Sequence, residues 1–320
     1  MVTISSFLEN KGYVMAKYQV DPELLILKPL KFKKYTNARR GLANFMFNLT
    51  MFFTRSKKGI RRRRYWIRGY NHMKVKVTVY ELKDQMEKAP GLLYIHGGGF
   101  QMAGTPVHIA MLQNIILQTK QKAVYVSYHL SPKHPFPTAF FDCYHALLWM
   151  AEHADYLNID LNHVSVAGDS AGGNLATAVA LYARDQKGPK IERQMLLYPV
   201  IDVKQNTPSM KAYDDTPMWN SILNKSMWEL YLKNGDHGML PYASPSVADV
   251  HGMPETYIET AQYDCLRDEA IEYARKLSEA GVTVHEYHTL KTVHGYDAVF
   301  FSKLVKRMMH HRIQFMKGEL

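Results

Sequence analysis

The strongest constraint on the fold lies in residues 164–174, which read Val-Ser-Val-Ala-Gly-Asp-Ser-Ala-Gly-Gly-Asn. An apolar run of the length of a buried strand is followed at once by glycines and then by an Ala-rich segment that favours a helix. A strand that turns directly into a helix leaves little room for side chains, and Gly168 and Gly172 stand where the two backbones come closest. The turn predicts a strained Ser170 with its hydroxyl raised above the sheet, as a nucleophile requires. The alternative is a glycine-rich turn in which Ser170 only caps the helix.

Strand and helix patterns alternate along the chain from residue 74 onward. Alternating valines predict a half-buried strand at residues 74–82, and short apolar runs predict buried strands further on. This alternation is typical of a mainly parallel sheet with helices on both faces, in which sites form at the carboxyl ends of the strands. Further strands are predicted at residues 91–95, 123–128, 164–167, 194–200, 256–262 and 282–287, and helices at 107–120, 140–156, 174–184, 227–233, 266–280 and 296–316.

Length and composition narrow the class of protein. The chain has 320 residues, 47% of them hydrophobic, which is enough for one large core or two modest domains. No apolar run is long enough to span a bilayer, and residues 1–10 lack the pattern of a signal peptide. Cys143 and Cys265 lie far apart, and the fifteen histidines include no His-Glu-x-x-His. We therefore expect a cytoplasmic protein without a metal site.

Charge is concentrated at the N-terminus. The net charge is +11, and residues 1–74 hold 17 Lys and Arg against three Asp and Glu, while the remainder is slightly acidic. This asymmetry leaves two interpretations open, a solvated helical face or contact with an anionic surface. No zinc-finger spacing or RNA-binding aromatic pattern accompanies the charge, so no nucleic-acid partner is expected.

A triglycine loop gives the most specific chemical signal. Residues 96–100 read His-Gly-Gly-Gly-Phe and follow a predicted strand. Three consecutive glycines leave backbone N–H groups unshielded, as a developing oxyanion needs. A dinucleotide-binding loop with glycines at positions 97 and 99 would need a small residue at position 102, where this chain has Met102. Asp264 and His294 follow two later predicted strands, so four motifs fall at strand ends.

Taken together, these motifs resemble those of the hormone-sensitive-lipase-like branch of the α/β-hydrolase fold, the bacterial family IV carboxylesterases. The resemblance extends over about residues 92–300 and includes the Pro-rich turn at residues 128–137, the segment 263–269 and the His-Gly-Tyr at 294–296. It implies an α/β fold with a mostly parallel central sheet, flanking helices and a helical cap. The order Ser170, Asp264, His294 matches the order of the triad in this fold.

The resemblance also implies roles for individual residues in a serine carboxylesterase that hydrolyses short- to medium-chain acyl esters through an acyl-enzyme, without a cofactor. Ser170 would be the nucleophile, His294 the general base and Asp264 the residue that orients the imidazole. Asp268 is a second candidate acid, and Asp264 is preferred because it stands closer to the strand end. The N–H groups of Gly98, Gly99 and Ala171 would form the oxyanion hole, and His96 and Gly97 would organise the loop.

The same resemblance divides the chain into a cap and a core. Residues 1–60 would form an N-terminal cap segment, and residues 61–320 a core with a cap-contributing insertion around 204–240. Within the cap, residues 42–53 are strongly apolar between basic flanks, which suits a buried or an interfacial helix. Removal of residues 1–40 is expected to alter substrate range more than folding. Candidate lining residues of the substrate pocket, for which core packing is the alternative, are Phe45, Met46, Phe52, Phe100 and Trp228.

Departures from the family pattern leave several alternatives open. His129 stands where the family has Arg, so an ion pair near the Pro-rich turn is lost or rebuilt, and Cys265 replaces a proline beside Asp264. None of these changes affects a reacting group. The alternatives are an amidase or deacetylase on the same triad, a non-catalytic receptor for a small ligand, and a basic surface-binding protein. The sequence leaves open whether the protein forms homo-oligomers.

Overall fold

A single mixed sheet forms the centre of the molecule. The computed structural model describes residues 17–33 and 36–320, and in this part of the chain the sheet has eight strands in the order β1-β2-β4-β3-β5-β6-β7-β8. β2 runs antiparallel to both β1 and β4, and all other neighbours are parallel. The strands are β1 Ile60–Arg68, β2 Lys74–Leu82, β3 Ala89–Ile95, β4 Lys122–Ser127, β5 Ile159–Asp169, β6 Arg193–Leu197, β7 Glu255–Tyr263 and β8 Val284–Val293.

Helices cover both faces of the sheet, which explains why the central strands are apolar almost throughout. Phe140, Leu147 and Leu175 belong to the core on one face, and Leu112 and Phe315 to the core on the other. The fold is therefore the three-layer α/β arrangement that the sequence predicts. The helices are α1 Asn37–Phe53, α2 Pro106–Thr119, α3 Thr138–Glu152, α4 Ala154–Leu157, α5 Ala171–Asp185, α6 Pro208–Ala212, α7 Ser221–Tyr231, α8 Leu240–Ala243, α9 Arg267–Glu279 and α10 Lys303–Lys317.

The parallel register brings the predicted motifs to one edge of the sheet. Ile95 at the end of β3 pairs with Gly168 of β5, and Asp169 pairs with Leu197 at the end of β6. The glycine loop after β3 and the turn after β5 are therefore neighbours. Tyr263 at the end of β7 pairs with Val293 of β8, so the residues that follow these two strands are also adjacent.

Several elements differ from the sequence prediction, and three of them have a clear physical reason or a simple shift of bounds. β1 was not predicted, because its four consecutive arginines, residues 61–64, hide the alternation of an edge strand. Arg61 and Arg63 both reach the carboxylate of Glu81 on β2, which allows these charges to lie on the sheet. The last helix begins at Lys303 rather than at residue 296, because Ser302 caps it after a separate 3-10 turn. The helix predicted at residues 227–233 is α7, which begins six residues earlier.

Residues 17–33 join the end of the sheet to the segment at 213–220. Leu24 and Leu27, in a 3-10 helix at Pro22–Leu27, are buried in the second core. The backbone of Asp21 donates to the carbonyl of Lys291, and the backbone of Met218 donates to the carbonyl of Leu30. The two segments predicted to form a cap therefore touch each other. The predicted cap residues 1–16, 34 and 35 lie outside the described part of the chain.

α1 presents its apolar side chains to solvent rather than to a core. It contains the apolar run predicted at residues 42–53, and Phe45, Phe52 and Phe53 are all more than 60% exposed. Thr36 caps its first turn by accepting from the backbone of Arg39. Among the described residues, none of the helices has both the length and the apolar character needed to cross a membrane.

Candidate active site

Ser170 lies on a strained turn between β5 and α5. Its backbone has φ 55° and ψ −122°, a conformation that L-residues rarely adopt. The turn requires small neighbours, because a Cβ on Gly168 would stand 2.2 Å from the carbonyl oxygen of Gly172, and a Cβ on Gly172 would stand 2.2 Å from that of Ile95. The backbone N–H of Ser170 donates to the carbonyl of Leu197, which fixes the turn against β6. The strained turn predicted from the sequence is present.

His294 and Asp264 form a continuous chain of polar contacts with Ser170. The His294 Nε2 atom lies 2.9 Å from the Ser170 Oγ atom, and Nδ1 lies 2.7 Å from Oδ2 of Asp264. Asp264 is fully buried, and its other oxygen accepts from the backbone N–H of Leu266 at 3.0 Å. An imidazole held in this way has one nitrogen free to accept the serine proton. The structure thus brings together three residues that the sequence separates by up to 124 positions.

Asp268, the second candidate acid, points elsewhere. Its Oδ2 atom accepts from the backbone N–H of Ser209, and its Oδ1 atom accepts from Nε of Arg267 at 2.8 Å. It therefore holds α6 against α9 and is not the residue that contacts His294. The preference for Asp264 rested on its position at the strand end, and the contacts agree with it.

The triglycine loop is tied directly to the turn that carries Ser170. The N–H of Gly97 donates to Oδ1 of Asp169 at 3.1 Å. Gly98 and Gly99 have φ values of 116° and 59°, which only glycine adopts without strain. α5 begins at Ala171, so unpaired N–H groups at a helix start face the same edge of the sheet as this loop. The arrangement suits the stabilisation of negative charge next to Ser170.

His96 supports this loop as a neutral ring. Its Nδ1 atom lies 2.7 Å from the carbonyl oxygen of Gly97, and its ring stacks on Tyr128 with centroids 4.4 Å apart. The Tyr128 hydroxyl donates to the carbonyl of His96. Burial, with a contribution from the charge of His108, lowers the pKa of His96 to about 4, so the ring carries no charge near neutral pH. His96 contacts the loop and not the Ser170 hydroxyl.

Sequence reasoning missed His108, which contacts the same network. Its Nε2 atom lies 3.3 Å from Oδ2 of Asp169, and its Nδ1 atom accepts from the backbone of Thr105. Burial alone would lower the pKa of His108, but the charge of Asp169 and the hydrogen bond to it raise the pKa overall. No sequence signal marks His108, because it is one histidine among fifteen and lies in an ordinary helical pattern. The nearness of α2 to the end of β5 is a property of the fold.

Trp219 is a second residue that the sequence did not reveal. Its ring centroid lies 6.1 Å from that of His294, and a Cβ on Gly99 would stand 2.7 Å from its outer edge. Its indole N–H donates to Oδ1 of Asn224, which holds the ring in place. A small cavity of about 10 Å³ lies beside the glycine loop and is lined by Gly98, Gln101, Met102, Trp219, Leu223 and Ser226.

The predicted pocket-lining residues lie elsewhere, and this prediction requires correction. Phe45, Met46 and Phe52 are 63%, 46% and 68% exposed on the outer face of α1, because the inner face of that helix is turned towards the protein. Phe100 and Trp228 are in the core instead, where the Phe100 ring stacks on Tyr231 at 3.7 Å. Core packing was the alternative role for these five residues, and the structure shows it for Phe100 and Trp228 alone.

Two of the departures from the family pattern, at His129 and Cys265, have simple structural outcomes. His129 Nδ1 lies 2.7 Å from Oδ2 of Asp142, so the histidine makes a polar contact with a carboxylate near the Pro-rich turn. Cys265 is fully buried, and burial raises the pKa of its thiol well above the usual value, so the thiol stays protonated. Within residues 17–33 and 36–320, no three His, Cys, Asp or Glu side chains come together as a group that could hold a metal ion.

A serine on a strand–helix turn, in contact with a histidine and a buried aspartate that follow later strands of a mostly parallel sheet, defines the class of α/β hydrolases. Comparison with known proteins agrees with this class. A family model described as the α/β-hydrolase fold matches residues 92–298. Esterase LipI of Mycobacterium tuberculosis is 39% identical over 218 residues, which cover 67% of this chain and 67% of LipI.

Two further similar proteins indicate which family of α/β hydrolases this chain belongs to. Carboxylesterase NlhH of Mycobacterium tuberculosis is 35% identical over 233 residues, covering 71% of this chain and 73% of NlhH. The solved structure of a bacterial heroin esterase superposes with a TM-score of 0.85 at 32% identity, covering 94% of this chain and 98% of that one. The chain belongs to the hormone-sensitive-lipase-like esterases of the α/β-hydrolase fold. It is a carboxylic ester hydrolase.

Proposed function

We propose that Ser170, His294 and Asp264 are the catalytic triad of this carboxylesterase. The observation that carries the proposal is the continuous line of contacts from Asp264 Oδ2 through the imidazole to Ser170 Oγ, at 2.7 and 2.9 Å. The burial of Asp264 supports the assignment, because a buried carboxylate accepting from Nδ1–H fixes the tautomer in which Nε2 is the base. It also stabilises the imidazolium that forms when the serine proton moves.

The reaction proceeds in two stages. The Ser170 oxygen attacks the ester carbonyl carbon while His294 takes the hydroxyl proton, and the carbonyl oxygen becomes an oxyanion. The N–H groups of Gly98, Gly99 and Ala171 hydrogen-bond that oxyanion. His294 then gives its proton to the leaving alkoxide, which departs as the alcohol and leaves an acyl-enzyme. Water, deprotonated by His294, attacks the acyl carbon and releases the carboxylic acid with Ser170 restored.

The substrate class is short- to medium-chain acyl esters, with the shortest chains fastest. The support is steric, because Trp219 lies close to Gly99 and to His294 and lines the small cavity beside the glycine loop. A long acyl chain would have to displace this ring. We further propose that α1, residues 17–33 and the segment 204–240 form a cap over the triad. The contacts of Met218 with Leu30 and of Asn220 with Phe32 support that assembly.

The test is the hydrolysis of p-nitrophenyl esters from acetate to laurate by the wild type and by Ser170→Ala. We expect Ser170→Ala to lower kcat/KM for p-nitrophenyl acetate by about 10³-fold or more, because no other group forms the acyl-enzyme. Ser278→Ala is the matched control, since Ser278 is exposed on α9. Wild-type turnover by Ser170→Ala, with a normal circular dichroism spectrum, would exclude Ser170 as the nucleophile.

A further inference from the structure

Six large apolar side chains form a continuous stripe on the outer face of α1. They recur at spacings of three and four residues, so they share one side of the helix. Soluble domains seldom leave such a contiguous patch in water without a partner for it. The members of this stripe, with their exposed fractions, are Leu42 (64%), Phe45 (63%), Met46 (46%), Leu49 (40%), Phe52 (68%) and Phe53 (68%).

The stripe faces outward because the opposite side of α1 is bound to the protein. The side chain of Asn44 donates to the carbonyl of Gln101 at 2.9 Å and accepts from the N–H of Ala103 at 2.8 Å. At the other end of the helix, Arg62 donates to the carbonyl of Thr54 at 2.9 Å. Met51 packs against the second core. These contacts fix the rotation of the helix about its own axis, so its apolar face points away from the protein.

A basic surface adjoins the stripe. Arg62, Arg64 and Arg68 lie at even-numbered positions of β1, with Trp66 between the last two, and so share the sheet face that Arg62 uses to reach the end of α1. In the register with β2, Trp66 stands opposite Lys76 on this face, and Arg68 opposite Lys74. Trp66 is 67% exposed between the arginines.

The positive charges in this surface are close together and lack acidic partners. Among residues 17–33 and 36–320, no carboxylate lies within ion-pair distance of Arg64 or Arg68. Burial and the charges of Arg64 and Arg62 lower the pKa of Lys76, which indicates that like charges crowd one another here. Such a cluster binds anions without first breaking ion pairs.

We propose that α1 and the basic face of β1 dock the protein on an anionic lipid bilayer, with the apolar stripe inserted at the headgroup boundary. An apolar helix face bordered by cations and an exposed tryptophan is the composition of an interfacial membrane helix. Anionic headgroups supply the charge complementary to Arg64 and Arg68. Nucleic acid would satisfy the arginines but leave Phe52 and Phe53 in water, so a bilayer is the better match.

Docking would bring the proposed active site to the lipid. Asn44 connects the inserted helix to Gln101 and Ala103, which directly follow the triglycine loop. Esters that partition into the bilayer would then be presented near Ser170. This last step rests on the proposed function, whereas membrane binding itself does not. Ser170→Ala should therefore bind vesicles as well as the wild type does.

The experiment is co-sedimentation of the full chain with vesicles of phosphatidylcholine alone and of phosphatidylcholine with phosphatidylserine. We expect binding to the phosphatidylserine vesicles that falls at high salt. The double variant Phe45→Gln with Phe52→Gln should lose at least fivefold of that binding, and Arg64→Gln with Arg68→Gln should do the same. The matched control is Phe300→Gln with Phe301→Gln, which should bind as the wild type does, because these phenylalanines are 58% and 59% exposed but are not members of the stripe. All four substitutions of phenylalanine are on the surface, so folding should survive.

Three results would overturn the proposal. One is a wild type that fails to bind phosphatidylserine vesicles at low salt, whatever its esterase activity. Another is equal binding by the wild type and by the Phe45 and Phe52 double variant. A third is a wild type that forms dimers in light scattering that the same double variant abolishes, because the stripe would then be an interface between copies of this chain. Tight binding of duplex DNA that competes with the vesicles would equally reject lipid as the occupant of the basic face.

Discussion

At the scale of single residues, Glu269 is a buried group whose charge state the fold controls. Its Oε1 atom accepts from the N–H groups of Ile201 and Asp202, while its Oε2 atom has no partner among the described residues. Burial raises the pKa of Glu269 well above its usual value, despite those two hydrogen bonds. The folded protein therefore holds the Glu269 proton more tightly than the unfolded chain does.

Glu269→Gln should remove a dependence of stability on pH. The folded protein retains the Glu269 proton at pH values where the unfolded chain has lost it, so the free energy of unfolding of the wild type falls as pH rises above about 4.5, by ~1.4 kcal/mol per unit until the raised pKa is passed. Glutamine has no proton to lose. We expect the variant to match the wild type near pH 5 within about 1 kcal/mol and to exceed it at pH 8, measured by urea unfolding. Glu279→Gln, on the exposed end of α9, is the control.

Trp219 is the residue that we propose limits the size of the acyl group. Trp219→Ala should raise the ratio of octanoate to acetate hydrolysis by about 10-fold, because removal of the indole opens space beside Gly99 and His294. Phe52→Ala is the control, since Phe52 lies in solvent and should leave the profile for soluble esters unchanged. A change of chain-length preference in Phe52→Ala rather than in Trp219→Ala would restore the original pocket assignment.

At the scale of elements, α10 is joined to the site through a buried ionic network. Arg312 is fully buried and donates to both oxygens of Glu259 on β7 and to Oδ2 of Asp297 at 2.9 Å. The Tyr198 hydroxyl donates to the other Asp297 oxygen at 2.6 Å, and the Tyr198 ring packs on His294 with centroids 4.7 Å apart. The last helix thereby braces the ring that supports the proposed base.

Arg312→Met should destabilise the fold by about 3–5 kcal/mol, because it leaves two buried carboxylates without a cation. Arg307→Met on the exposed side of the same helix should change stability by less than about 0.5 kcal/mol. Both values come from chemical unfolding at pH 7. A small effect of Arg312→Met would mean that Glu259 and Asp297 are neutral or hydrated in the folded protein.

At the scale of the whole molecule, residues 17–33 pack into the core as well as contributing to the proposed cap. Glu23 accepts from the backbone of Lys303 at the start of α10, and Leu30 accepts from Met218, next to Trp219. The expectation that loss of residues 1–40 affects substrate range more than folding stays a prediction, and these contacts indicate that folding is affected as well. The described part of this segment fills the second core through Leu24 and Leu27.

Two adjacent leucines test this conclusion. Leu24 is fully buried and Leu25 is 42% exposed, so the same substitution at each separates core packing from surface effects. Leu24→Ala should cost about 2–5 kcal/mol of unfolding free energy and lower Tm by several degrees, whereas Leu25→Ala should change little. Equal effects at the two positions, measured by calorimetry, would show that this segment does not pack as described.

The sequence by itself determined those features that depend on neighbours along the chain. Periodicity gave most strands and helices, and steric limits on close backbones identified the Ser170 turn and the triglycine loop, because only glycine tolerates such contacts. The sequence did not predict β1, because four arginines obscure the two-residue period of a strand. It predicted the start of the final helix at residue 296, whereas Ser302 caps the helix and it begins at Lys303.

The tertiary structure decided what depends on contacts between distant segments. It brought His294, which the sequence had already singled out by its motif, to Ser170 across 124 residues, because strand register determines which strand ends meet. It also placed His108, Trp219 and Arg312 around the site, where no local pattern marks them. The apolar face of α1 shows the difference best. Its composition is the same for a core and for an interface, and only the fixed rotation of the helix turned that face to the outside.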